Sequence, residues 1–182
     1  MSVKGRIKLS DFPNGLLGGL DLKNHKVYFE DHQFRFALCF GVALYLLWFF
    51  GFLANIQSDI HSHSQSYVLS HLLVLIILSP VIEEYVFRGM LQGRLLALRW
   101  GMQYLCSQRA YKISYANLIT SLIFVAFHFI NQSPLWALSV FIPSLILGHF
   151  RERYGSISPA IVLHVFYNAL FFIFPLFEAR LS

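Results

Sequence analysis

Phe34 to Ile56 is an almost unbroken apolar run with a single charge, Arg35, at its start. About 20 apolar residues suffice for a helix to cross a bilayer. Three later runs, Tyr115 to Ile130, Leu135 to Phe150 and Ser158 to Phe177, contain no Asp, Glu, Lys or Arg. A fifth begins at Tyr67 and stays free of those residues through Leu78. It then ends in Ser79-Pro80-Val81-Ile82-Glu83-Glu84-Tyr85-Val86-Phe87-Arg88-Gly89, with two carboxylates side by side. A chain with this pattern has one economical fold class: an all-α integral membrane protein.

Composition agrees. Only 13% of the 182 residues are charged and 57% are hydrophobic, against about 25% charged in soluble domains. The net charge of +5 does not make the chain a nucleic-acid binder, because its basic residues fall between the apolar runs and not along one face. Cys39 and Cys106 have no metal-ligand or redox spacing. Residues 1–31 lack the pattern of a cleavable signal peptide, and the last residues lack a lipidation signal.

The expected organisation is a polar N-terminal arm over residues 1–33, cytoplasmic and partly interfacial, followed by a transmembrane domain over 34–182. About five transmembrane helices are expected. An amphipathic interfacial helix should follow the second, over Gln92 to Trp100, where basic and apolar residues alternate. The arm, the stretch from Arg94 to Lys112 and the turn at Arg151 are basic, whereas the loops at Asp59 and Asn131 carry no Lys or Arg. That alternation places the N-terminus in the cytoplasm and the C-terminus outside. The location is the cell membrane, crossed several times, of a type that fits a prokaryotic inner membrane. His61 and His63 read as solvated loop residues, and His149 as a structural residue near the interface.

Carboxylates in hydrocarbon are costly and are rarely kept without a task. Glu84 and Arg88 are four apart, so they share a helix face and can pair. Glu83 points about 100° away and is free to face a cavity as a general base. His128 ends the apolar stretch Phe124-Val125-Ala126-Phe127, and Phe124, one turn before it, shapes the same wall. His164 and Asn168 are again four apart. Each could merely bridge helices; together they could also donate to an oxyanion. At 1.5 Å per residue, helices entering at Leu72, Leu118 and Ile157 put Glu83 roughly 16 Å from the outer edge of the bilayer. They put His128 and His164 roughly 15 and 10 Å from the inner edge. In a core about 30 Å thick, those depths are compatible.

Glu83-Glu84-x-x-x-Arg88, Phe124-x-x-x-His128 and His164-x-x-x-Asn168, in that order and each on an apolar segment, resemble the three motifs of the CPBP family, the CAAX-processing or Abi intramembrane proteases. The resemblance covers roughly residues 70–175. It implies an intramembrane endopeptidase that hydrolyses a peptide bond near the C-terminus or membrane anchor of a membrane-associated protein or peptide. Glu83 and His128 would activate water, and His164 and Asn168 would hold the oxyanion. Glu84, Arg88 and Phe124 would support the site, and Glu84 could instead share the base role. It implies a glutamate-type mechanism without a metal or other cofactor. Zinc held by Glu83, His128 and His164 is the alternative ligand set, although no His-Glu-x-x-His occurs.

The implied partners are a membrane-anchored or lipid-modified substrate and the bilayer itself, with no nucleic acid. Prenylated CAAX tails, bacteriocin precursors and C-terminal anchor segments all fit such a site. Two other readings compete with this one. A non-enzymatic immunity or chaperone factor would not need every polar group. A proton-coupled transporter would show paired, broken repeats, and the sequence has none.

Overall fold

The computed structural model describes residues 25–47, 71–107 and 112–178. The His61/His63 pair, most of the N-terminal arm and the end of the first apolar run lie outside these residues. The described protein is mostly helical. Helices α1 (His25–Glu30) and α2 (His32–Leu47) come first. Helix α3 spans 71–96. A short antiparallel hairpin follows, β1 (Tyr104–Ser107) with β2 (Lys112–Ser114). Then come α4 (Tyr115–His128), α5 (Pro134–Ser139), α6 (Phe141–Tyr154) and α7 (Ser158–Glu178).

The element ends follow local chemistry. Ser114 caps α4 by accepting the Asn117 N–H at 2.9 Å, which satisfies one of the donors a helix start leaves open. Pro134 and Pro159 stand in the first turns of α5 and α7, where a missing N–H costs nothing. Gly155 ends α6 with φ 63°, in the left-handed region that glycine adopts without strain.

Helix α3 is continuous but not uniform. Regular turns at Ser79–Glu84 lie between two stretches of wider, π-type turns, Val74–Leu78 and Tyr85–Gln92. Pro80 sits at the first junction and cannot donate to the preceding turn. Wider turns of this kind are frequent at functional sites. The two glutamates therefore occupy a short regular segment held between irregular ones.

Packing centres on α6, which touches α4, α7, α3 and α2. Tyr28, Phe34, Ala37, Leu147, Phe150, Ala160, Leu163 and Tyr167 form the main buried cluster. Tyr28 belongs to the expected arm, so the last residues of that arm pack into the core. Asp31 secures the junction: its Oδ2 accepts from Arg153 Nε at 2.7 Å and from the Tyr154 hydroxyl at 2.6 Å. Burial opposes its charge, but the Tyr154, Gln33 and Arg153 hydrogen bonds outweigh that and hold its carboxyl below the usual range.

The outward faces stay apolar. Leu73, Val74, Ile77, Leu78, Ile82 and Val86 of α3 are exposed, as are Leu122 and Phe127 of α4. The stretch Pro134–Tyr154 is long and apolar enough to cross a membrane. His32–Leu47, Tyr115–His128 and Ser158–Phe172 are shorter apolar helices.

Two expectations are corrected. Among the described residues, no separate amphipathic helix follows the second apolar helix. Helix α3 runs on to Leu96, because Gln92, Gly93 and Leu96 are buried, and the chain then turns into the hairpin. Gly101 makes that turn possible, since a Cβ there would stand 1.9 Å from the Leu95 carbonyl oxygen. Within the fourth run, which is long and apolar enough to cross a membrane, the helix is interrupted at one residue. It breaks at Val140, three residues before Pro143, whose ring nitrogen cannot serve the carbonyl of residue 139. Arg151 is not a loop charge: it lies in the last turns of α6 and is fully buried.

Candidate active site

Helices α3, α4 and α7 bring the motif residues together. His164 of α7 touches both glutamates of α3. Its Nδ1 is 2.8 Å from Glu84 Oε1 and its Nε2 is 3.9 Å from Glu83 Oε2. A carboxylate oxygen accepts, so Nδ1 donates the proton to Glu84 and the other ring nitrogen is turned toward Glu83. Glu84 is fully buried, and its Oε1 is also 3.1 Å from Arg88 Nη1. Glu84 is therefore shared between Arg88 and His164, whereas its sequence spacing to Arg88 had pointed to a structural ion pair.

Glu83 differs. Its side chain is 26% exposed. Oε1 accepts from the Ser79 hydroxyl at 2.5 Å, while Oε2 has no hydrogen-bond partner among the described residues. The two neighbours thus differ in environment: Glu84 is fully buried with Oε1 held between Arg88 and His164, whereas Glu83 is partly exposed and lines the cavity, and one oxygen of each carboxylate has no hydrogen-bond partner among the described residues.

His128 Nδ1 donates to the Phe124 carbonyl one turn back at 2.9 Å. That bond fixes the ring and leaves its Nε2 for other partners. Phe124 is 3% exposed and lies at the centre of the cluster. Its ring centroid is 4.5 Å from that of His128, 6.0 Å from that of His164 and 5.0 Å from that of Phe87. The Arg88 guanidinium stands 4.6 Å over the Phe124 ring, an attractive cation–π arrangement. Asn168 donates from Nδ2 to the Leu75 carbonyl at 2.8 Å. It ties α7 to the first wide-turn stretch of α3 and keeps a second N–H on the same nitrogen.

A cavity of about 500 Å³ joins these groups. Glu83, His128, His164 and Asn168 line it together with Phe124 and aromatic or apolar walls that include Trp136 and Phe171. Glu84 and Arg88 lie behind the lining. Among the described residues, no three His, Cys, Asp or Glu side chains are grouped as metal ligands.

Several participants escaped sequence reading. Arg88 Nη2 donates to the Ser144 carbonyl at 3.0 Å and to its hydroxyl at 2.9 Å. Arg151 Nε donates to the Arg88 carbonyl at 3.2 Å. Gln92, fully buried, donates to the Gly148 carbonyl at 3.1 Å and to Glu152 at 2.8 Å. The available signal was spacing: Glu84, Arg88 and Gln92 recur every four residues, as do Ser144, Gly148 and Glu152.

Fold and site define a class: an apolar helical bundle that holds carboxylates and imidazoles around an internal cavity. Residues 65–170 match the family model described as type II CAAX prenyl endopeptidase Rce1-like. The match covers more than half of the chain, and the chain belongs to this family of membrane proteases. Comparison with curated proteins and with solved structures gives no significant match.

Proposed function

We propose that this protein is an intramembrane endopeptidase of the glutamate type. It hydrolyses a peptide bond near the C-terminus or membrane anchor of a membrane-associated protein, and a prenylated CAAX tail is the first substrate class to examine. The observation that carries the reading is Glu83: its unfilled carboxylate oxygen stands 3.9 Å from His164 in a cavity that His128 and Asn168 also line.

In this mechanism, Glu83, helped by His128, takes a proton from water as the oxygen attacks the scissile carbonyl carbon. His164, once its Nε2 also carries a proton, and the spare N–H of Asn168 stabilise the oxyanion that forms. Collapse breaks the C–N bond, and the proton held on Glu83 passes to the leaving amine. Glu84 takes no proton in this scheme; it orients His164 through Nδ1. The cavity walls limit bulk water, which strengthens each polar contact inside. No step passes through a metal ion.

The protein crosses the membrane several times, with its N-terminus in the cytoplasm and its C-terminus outside, in a prokaryotic inner membrane. In this reading the five spans are α2, α3, α4, α5 with α6, and α7.

The test is a quenched fluorogenic peptide ending in a farnesylated CAAX tail, incubated with the protein in proteoliposomes. It is paired with a comparison of membrane-protein C-termini in cells with and without the gene. Cleavage that disappears with Glu83→Ala supports the reading. Full activity in purified Glu83→Ala protein would sink the mechanism.

A further inference from the structure

We propose that Ser144 and Arg151 of α6 are positioning residues that set the direction of the His164 ring through Arg88 and Glu84. The two residues are seven apart, two turns along α6, so they lie on nearly one face. They grip Arg88 at two points. Ser144 receives the guanidinium Nη2 on its carbonyl and hydroxyl oxygens, at 3.0 and 2.9 Å. Arg151 Nε holds the Arg88 carbonyl at 3.2 Å.

The guanidinium is a rigid planar fork. With Nη2 held on Ser144 and the plane held over Phe124, Nη1 has one direction left, toward Glu84 Oε1 at 3.1 Å. The same oxygen receives His164 Nδ1 at 2.8 Å. Ser144, Arg88, Glu84 and Arg151 are all 0% exposed. Glu84, Arg88 and Arg151 do not line the cavity, and each contact in such a buried relay depends on its neighbours. Without its hydroxyl, residue 144 keeps only the carbonyl acceptor for Nη2, and without Arg151 the Arg88 backbone loses its tie to α6; in each case Arg88 is held less firmly, and the oxygen shared with His164 moves with it.

Ser144 also lines the cavity, so two roles must be separated. A wall residue alters substrate binding, whereas a positioning residue alters the His164 ring and the chemical step. The decisive measurement is the ring ¹⁵N spectrum of the full chain in detergent, labelled at histidine, with the His164 signal assigned by its loss in His164→Asn. The Nδ1-protonated, hydrogen-bonded signal should dominate in the wild type. It should diminish in Ser144→Ala and in Arg151→Lys, and return in Ser144→Thr. On the farnesylated peptide, kcat should fall about tenfold with KM unchanged.

An unchanged His164 signal in folded Ser144→Ala and Arg151→Lys overturns the proposal. A raised KM with unaltered kcat in Ser144→Ala also overturns it, since that makes Ser144 a wall residue. If Ser144→Ala does not fold, Arg151→Lys supplies the same readout. The kinetic arm alone rests on the endopeptidase reading. Absence of cleavage by the wild type would count against that reading, while the ring spectrum still decides this one.

Discussion

His164 Nδ1 and Glu84 Oε1 stand 2.8 Å apart, although 80 residues separate them in sequence. The contact joins α7 to the fully buried side of α3 and makes the second glutamate a partner of the imidazole as well as of Arg88. It also divides the labour of the glutamate pair by geometry: Glu84 faces fixed partners, and Glu83 faces the cavity.

Glu83→Gln should lower peptide cleavage by about 10² to 10⁴-fold, the usual worth of a positioned general base. Its carboxylate has one side-chain hydrogen bond, to Ser79, so thermal stability should change by no more than about 0.5 kcal/mol. Parallel rate and melting measurements on one preparation check both. A large loss of stability would mean that the carboxylate holds the fold.

Arg88→Met should have the opposite balance. It leaves the Glu84 charge buried with one cation fewer, and breaking a buried pair costs about 3 to 5 kcal/mol. Combining it with Glu84→Gln should recover much of that loss, because no uncompensated charge then remains. Unfolding curves for the two single variants and the double variant give the coupling.

Gly148→Ala should destabilise the α4–α6 contact by about 1 to 3 kcal/mol, the common cost of overpacking. A Cβ at this position would stand 2.0 Å from Asn117 Oδ1 and 2.5 Å from its Cγ. The added methyl should cost less in an Asn117→Ala background. Equal costs in both backgrounds would show that the crossing has room to relax.

The Asp31 junction predicts a modest acid dependence. Its carboxyl is held below the usual range, so its contribution is fully present above the unfolded value of about 3.9. That contribution disappears as pH falls through the lower folded value. The wild-type advantage over Asp31→Asn should be about 1 kcal/mol or less at pH 7, as for other accessible ion pairs, and should shrink as the carboxylate is protonated in acid. An advantage that grows on acidification would contradict the sign.

Cleavage should persist in EDTA or 1,10-phenanthroline. Activity lost to chelators and restored by zinc would favour the zinc ligand set of Glu83, His128 and His164.

The residues that face the cavity were legible because helical spacing is local. Glu83 and Glu84, Phe124 and His128, and His164 and Asn168 each announce themselves within one turn, and the three pairs do meet. The α6 side was not legible. Ser144 and Gly148 look like ordinary small residues of an apolar helix, and Arg151 looks like a loop charge that orients the chain. Their roles arise only when α6 crosses α3 and α4, which spacing within one segment cannot show. The hairpin was missed for a related reason: its pairing depends on the Gly101 turn and on two segments meeting, while the alternation over Gln92 to Trp100 suggested a helix. The break at Val140 could have been read from Pro143.

The two wide-turn stretches of α3 act as a phase adjustment. An ordinary helix carries residues four apart progressively round its axis, about 40° at each step; wider turns rotate less per residue and offset that drift. Arg88 and Gln92 can therefore both reach α6, while Glu84, one turn earlier, reaches His164 of α7. The arrangement depends on residue count as well as on residue type. Removing one residue between Tyr85 and Gln92 would preserve every motif letter yet swing the glutamates out of step with the far end of the helix. Length in this stretch is thus as much a part of the site as any side chain in it.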